Sequence, residues 1–115
     1  VRIDGLMRSL VCADPGVGVE ILGGVDRPPM ERTASVLHLY EEARAVAAEL
    51  GQDLGHGATG GGSDGNFTAA LGVPTLDGLG AVGRGAHAIG ECVDLASLPW
   101  RAALLAGLIR RILER

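Results

Sequence analysis

Two short stretches carry residue types and spacings suited to chemistry. The first is Thr59-Gly60-Gly61-Gly62-Ser63-Asp64-Gly65-Asn66, three consecutive glycines running into a segment that reads as a helix from Ser63. A helix start presents backbone N–H groups and the positive end of its dipole. Glycines ahead of it let a ligand reach the backbone without meeting a Cβ. Such a loop suits a carboxylate, a phosphate or an oxyanion, with the Ser63 hydroxyl as a further donor. The same composition also suits a plain turn that only caps a helix. No Lys-Ser/Thr follows, so this is not a nucleotide-binding P-loop. Ser63 does not sit in a GxSxG elbow, and no Ser-His-Asp nucleophile pattern is present. Asp64 is placed to favour the helix dipole more readily than to act as a base.

The second stretch, Gly85-Ala86-His87-Ala88-Ile89-Gly90-Glu91, sets one histidine in a glycine-lined turn. Imidazole is a common zinc ligand, and Glu91 is near enough in sequence to orient it. A polar loop histidine is the competing reading. His38, His56, Asp64 and Glu91 are the other nearby ligand types, but no HxxxH or CxxC spacing joins them into a local site. His38 belongs on the solvated side of a helix beside Glu41 and Glu42. Arg27, just ahead of Pro28-Pro29, can clamp a carboxylate at two points, or be a surface arginine. Arg84 is a weaker alternative on a glycine-rich loop.

These residues need elements to position them, and the composition bounds what is available. A chain of 115 residues makes at most one modest domain. Only 3% of it is aromatic, so any core is built from Leu, Val, Ile and Ala. The 19 glycines far exceed the usual ~7% and cluster around 51–65 and 78–90, where tight turns are expected. The net charge of −4, with no basic run, argues against nucleic acid as a partner. No apolar run reaches the ~18 residues of a membrane span. Cys12 and Cys92 are too few for a disulfide framework. The start at Val1, inside a helical pattern, reads as truncated or processed, which leaves the compartment open.

Residues 2–12 set Ile3, Leu6, Met7 and Leu10 on one helical face, and Asp14-Pro15-Gly16 turns the chain. Alternation at Val17, Val19 and Ile21 predicts a strand over 17–22, which must pair outside the chain or in a dimer. Beyond Pro28-Pro29, the stripe Val36, Leu39, Tyr40, Ala43, Val46, Ala47 and Leu50 predicts an amphipathic helix closed by Gly51. A short helix from Ser63 to Leu71, a strand at Val73–Leu76, a glycine-rich loop at 78–90 and a final helix follow. That helix is capped by Ser97, has Pro99 in its first turn, and carries Leu104, Leu105, Leu108, Ile109 and Ile112 as its buried face. Alternating helices and strands argue for an α/β fold.

In combination these motifs resemble the glutamate carboxypeptidase and aminoacylase-type metallopeptidases, with the acetylornithine deacetylases and succinyl-diaminopimelate desuccinylases. The resemblance lies in Gly60-Gly61-Gly62-Ser63-Asp64, then Gly72-Val73-Pro74-Thr75, then His87, Glu91, Val93 and Asp94, then a closing amphipathic helix. Arg27-Pro28 is similar to the family's Arg-Pro at the return from its lid domain. The match runs over residues 17–115.

The resemblance implies a partial catalytic domain of a dizinc peptidase, with helices packed on a mixed sheet. Residues 1–24 would end the lid and dimerisation domain, as a helix-strand remnant, and residues 25–115 would be the C-terminal half of the catalytic domain. It implies His87 as a terminal ligand of one of two zinc ions. It also implies the Gly62 amide, with Ser63 and Arg27, as the holder of a substrate carboxylate. The reaction would be hydrolysis of N-acyl amino acids or small peptides by a metal-bound water. The family's His-x-Asp motif, bridging Asp and paired glutamates, one of them the general base, have no counterpart here, so no catalytic residue is assigned. The chain therefore reads as a fragment, inactive alone, that would partner the missing N-terminal half, a small carboxylate-bearing substrate and a second copy. The alternative is a noncatalytic anion-binding or assembly module of the same fold.

Overall fold

The computed structural model describes residues 2–114. Val1 and Arg115, the outer ends of the two expected parts, lie outside them. Among the described residues four helices, α1 (Arg2–Arg8), α2 (Ala34–Glu49), α3 (Gly65–Ala70) and α4 (Leu98–Leu113), occur with one two-stranded antiparallel sheet, β1 (Gly83–Arg84) and β2 (Cys92–Val93). A 3-10 turn, Leu95–Ser97, leads into α4. This is a partial α/β arrangement rather than a closed one.

The best-formed unit is the α2–α4 pair. Thr33 begins α2, its Oγ1 accepting the Val36 N–H at 3.3 Å. At the other end Gly51 adopts φ +70°, while Gln52 N–H donates to Ala47 O and Gly51 N–H to Ala48 O. That is the paired-bond glycine stop a left-handed residue permits. Ala43, Val46 and Ala47 of α2 then meet Leu104 and Leu108 of α4, and Leu54 completes the core. The helices approach closely because position 107 is glycine: a Cβ there would lie 2.7 Å from Val46 Cγ1. Tyr40 Oη donates to Leu54 O at 2.7 Å, fastening the segment after α2 to its flank. Arg111 of α4 pairs with Glu42 and Glu49 of α2 across the open side.

Several expectations change. The first helix ends at Arg8, not Cys12, and its apolar face, Ile3, Leu6, Met7 and Leu10, remains half-exposed. Residues 17–22 and 73–76 form no strand; alternation makes a segment suited to a sheet, but a ladder needs a neighbour, and none is present among the described residues. Of the helix and strand expected over residues 1–24, only the helix is present among the described residues. Conversely, the loop at 78–90 contains β1. On α4 only Leu104 and Leu108 of the expected face are buried, whereas Leu105, Ile109 and Ile112 stay 41–50% exposed, because α2 covers only part of that face.

The whole is elongated, 64 × 37 × 17 Å, with a radius of gyration of 19.6 Å, against about 13 Å for a compact chain of this length. Its accessible surface is 8716 Å², about 2,800 Å² more than a compact monomer of 11.7 kDa exposes.

Candidate functional site

Arg27 and the glycine loop, separated by more than thirty residues in sequence, come together. The Arg27 stem crosses the backbone at Gly62, where a Cβ would lie 2.8 Å from Arg27 Cδ. Its guanidinium stacks over the Phe67 ring, 4.9 Å from the centroid, and Nη2 lies 3.6 Å from Asp64 Oδ1. Gly62 thus serves close approach, but of this chain's own arginine. Asp64 directly precedes α3, makes no side-chain capping bond and is almost fully exposed.

The loop is braced from within. Thr59 Oγ1 accepts the Gly61 N–H, Asn66 Oδ1 accepts the Ser63 N–H at 2.8 Å, and Ser63 Oγ accepts the Gly65 N–H at 3.1 Å. The Asn66 and Phe67 N–H groups bond to Ser63 O and Asp64 O. The Gly65, Asn66 and Phe67 N–H groups at the start of α3 are therefore already paired, which leaves few donors for the helix-terminus anion site that the sequence suggested. Local turns have consumed the others, and α3 is only six residues long. Among the described residues the Gly62 N–H has no acceptor, and the Ser63 hydroxyl keeps its proton free to donate. A second tie holds α3 in place: Thr68 Oγ1 meets Thr75 Oγ1 at 2.8 Å, and Val73 N–H donates to Thr68 O.

His87 sits on the hairpin that joins β1 to β2. Its φ of +65° is the only positive value at a non-glycine among the described residues. Such backbone costs about 1–3 kcal/mol and persists where the surroundings over-determine it. Here Ala88 N–H closes onto Gly85 O, Glu91 N–H onto Ala88 O, and the His87 N–H onto Glu91 Oε2 at 3.3 Å. Glu91 thus braces the backbone of His87 rather than its ring. Gly83 makes the strand pairing possible, since a Cβ there would lie 2.5 Å from Cys92 O. The hairpin is anchored on α4. Asp94 N–H donates to Val82 O, Ser97 Oγ accepts from Val82 N–H, and Arg101, 9% exposed, donates to Gly80 O at 2.6 Å and to Gly78 O.

No hydrogen bond or ion pair joins His87 to Arg27, Gly62 or Ser63 among the described residues. His56 is engaged elsewhere: Arg32 donates to its Nε2 at 3.3 Å and its ring meets Tyr40 edge-on. His38 lies exposed, 4.0 Å from Glu42. Arg84 is exposed in β1. Both cysteines are free thiols. No three His, Cys, Asp or Glu side chains among the described residues gather where one metal ion could bind them. Spacing gave no hint of two residues that shape the site, Asn66 and Phe67; each matters through a partner about forty residues away.

The model of peptidase family M20/M25/M40 matches residues 16–111, most of the chain. This chain belongs to that family. The resemblance carried by the glycine loop, the Gly-Val-Pro segment and the His87 turn is thus the family that matches. Carboxypeptidase G2 of Pseudomonas sp. (strain RS-16) is 33% identical over 97 residues, which are 83% of this chain and 23% of that protein. Succinyl-diaminopimelate desuccinylase of Polaromonas naphthalenivorans (strain CJ2) is 40% identical over 68 residues, 59% of this chain and 16% of that protein. The chain thus spans less than a quarter of either relative. No solved structure matches it.

Proposed function

We propose that this chain contributes the carboxylate-binding side of the active site in a zinc-dependent amidohydrolase or carboxypeptidase, one that cleaves N-acyl amino acids or small peptides. Residues 25–115 would form the C-terminal half of the catalytic domain, and residues 1–24 the end of a lid and dimerisation domain. The observation that carries the reading is the meeting of Arg27 with Gly62, whose amide has no acceptor among the described residues. A guanidinium and an exposed backbone N–H carried side by side are donors of the kind that match the two oxygens of a carboxylate. The Ser63 hydroxyl adds a third donor. These groups bind and orient the substrate's free carboxylate, which fixes where its amide bond lies.

His87 would hold one metal ion. Its strained backbone, braced by Glu91, supports a role that needs this residue held at a fixed place on the hairpin. One imidazole is not a zinc site, and the described residues alone do not fit the ion. The other ligands and the general base would come from the part of the catalytic unit corresponding to the rest of the relatives, so the chain alone is inactive on this reading. An open donor pair with no metal cluster among the described residues also suits a second reading, a noncatalytic anion-binding module.

Supplying the segment that bears the family's His-x-Asp and paired glutamates separates the two. With zinc present, the assembled protein should release the amino acid from N-acyl amino acids, and His87→Ala should nearly abolish this while leaving the fold intact. An assembled protein that binds these compounds but never cleaves them would overturn the enzyme reading.

A further inference from the structure

We infer that Asn66 and Phe67 are positioning residues that together mount Arg27 beside the Gly62 amide. The inference rests on the proposed carboxylate-binding role of Arg27. It concerns how the chain keeps a long, flexible cation aimed at one spot.

Asn66 is 9% exposed and lies between two segments that are distant in sequence. Its Nδ2 donates to Pro28 O at 2.7 Å, and its Oδ1 accepts the Ser63 N–H at 2.8 Å. Both ends of the amide are used, and the assignment admits no flip. Reversed, Nδ2 would face an N–H and Oδ1 a carbonyl. One side chain thus fixes the Pro28–Pro29 peptide, one residue beyond Arg27, against the loop that holds Gly62. Pro28 strengthens the effect, because its ring fixes φ and restricts the backbone of the residue before it.

Phe67 acts at the other end of Arg27. Its ring lies under the guanidinium, 4.9 Å from Cζ to the centroid. An aromatic face attracts the cation without consuming any N–H, so the donor edge stays free for an anion. Its acidic neighbour is the exposed Asp64 carboxylate at 3.6 Å, which a ligand carboxylate can replace. Successive residues of α3 therefore hold the backbone one residue beyond the arginine and the head of its side chain, while Gly62 admits its stem. Without this mount Arg27 would sample many rotamers, and binding would have to restrict them.

The test uses the 115-residue chain with N-acetyl-L-glutamate, followed by NMR at the Gly62 amide and the Arg27 Nε–H. Its dimethyl ester is the control without carboxylates. The unsubstituted chain should show saturable shifts at both positions with the acid and none with the ester. Phe67→Leu, which keeps an apolar side chain at a partly exposed site, should weaken binding about two- to five-fold. Phe67→Tyr should restore it. Asn66→Ala should weaken it about ten-fold and uncouple the two signals, so that Gly62 still shifts while Arg27 no longer follows. Equal affinity in the unsubstituted chain, Phe67→Leu and Asn66→Ala would overturn the mount while leaving the carboxylate site standing. No shift in the unsubstituted chain would overturn the site and the mount together. If Asn66→Ala fails to fold, the Phe67→Leu and Phe67→Tyr pair decides.

Discussion

Arg101→Met should loosen the hairpin that carries His87 and lower the stability of the chain by about 2–4 kcal/mol. The magnitude follows from what the side chain does. Arg101 is 9% exposed and has no acidic partner among the described residues; its guanidinium donates to Gly80 O and Gly78 O. Hydrogen bonds from charged donors contribute about 1.5–3 kcal/mol each. The two sum to about 3–6 kcal/mol, reduced because the freed carbonyls recover some water and methionine keeps the apolar packing of the stem. Against typical stabilities of about 5–15 kcal/mol that loss is large. It is larger still for a chain whose buried apolar core, among the described residues, is six residues. Arg101→Lys should fall between, since a single ammonium cannot reproduce the fork that spans both carbonyls. Urea unfolding gives the global term, and hydrogen exchange at Val82 and Asp94, whose amides close the base of the hairpin, gives the local one. The reasoning fails if the methionine variant unfolds within about 0.5 kcal/mol of the original, the range of ordinary surface changes, with those two amides as protected as before.

Two further outcomes are expected of the same chain. Dialysed against metal-free buffer, it should retain little or no stoichiometric zinc, since one imidazole does not supply the several ligands that tight binding requires; one or two tightly held ions per chain by elemental analysis would contradict this. At micromolar concentration it should self-associate, most simply as a dimer. Leu105, Ile109 and Ile112 of α4 and the apolar side of α1 stand exposed, and the surface exceeds that of a compact monomer by about 2,800 Å², well above the roughly 800 Å² per partner of a standard interface. Sedimentation showing a strictly monomeric species with a cooperative melt would contradict that expectation.

Family membership, the two long helices and the punctuation between them were legible in the amino-acid sequence. The reason is physical. The Gly51 stop and the apolar stripes of α2 and α4 act within a turn or two of chain, so residue types at fixed offsets are enough to write them. The glycines of the loop and the lone histidine between Gly85 and Gly90 were equally visible, because those residue types are unusual wherever they stand. Their purposes were less visible. Gly62 looked open for a ligand, and its missing Cβ in fact admits the stem of Arg27. Glu91 looked like a partner for the imidazole of His87, and it holds the backbone instead.

What remained belongs to tertiary structure. Alternation at 17–22 marks residues able to line a sheet, but a strand exists only when another supplies its hydrogen bonds, and that is not written in the segment itself. The pairing of Gly83–Arg84 with Cys92–Val93 depends on a turn whose strained residue is not a glycine. Above all, the meeting of Arg27 and Pro28 with Ser63, Asn66 and Phe67 bridges almost forty residues of chain. No local propensity encodes such a contact. It forms because one buried amide must satisfy a donor and an acceptor at once, and only the folded path of the chain brings Pro28 O and Ser63 N–H within its reach.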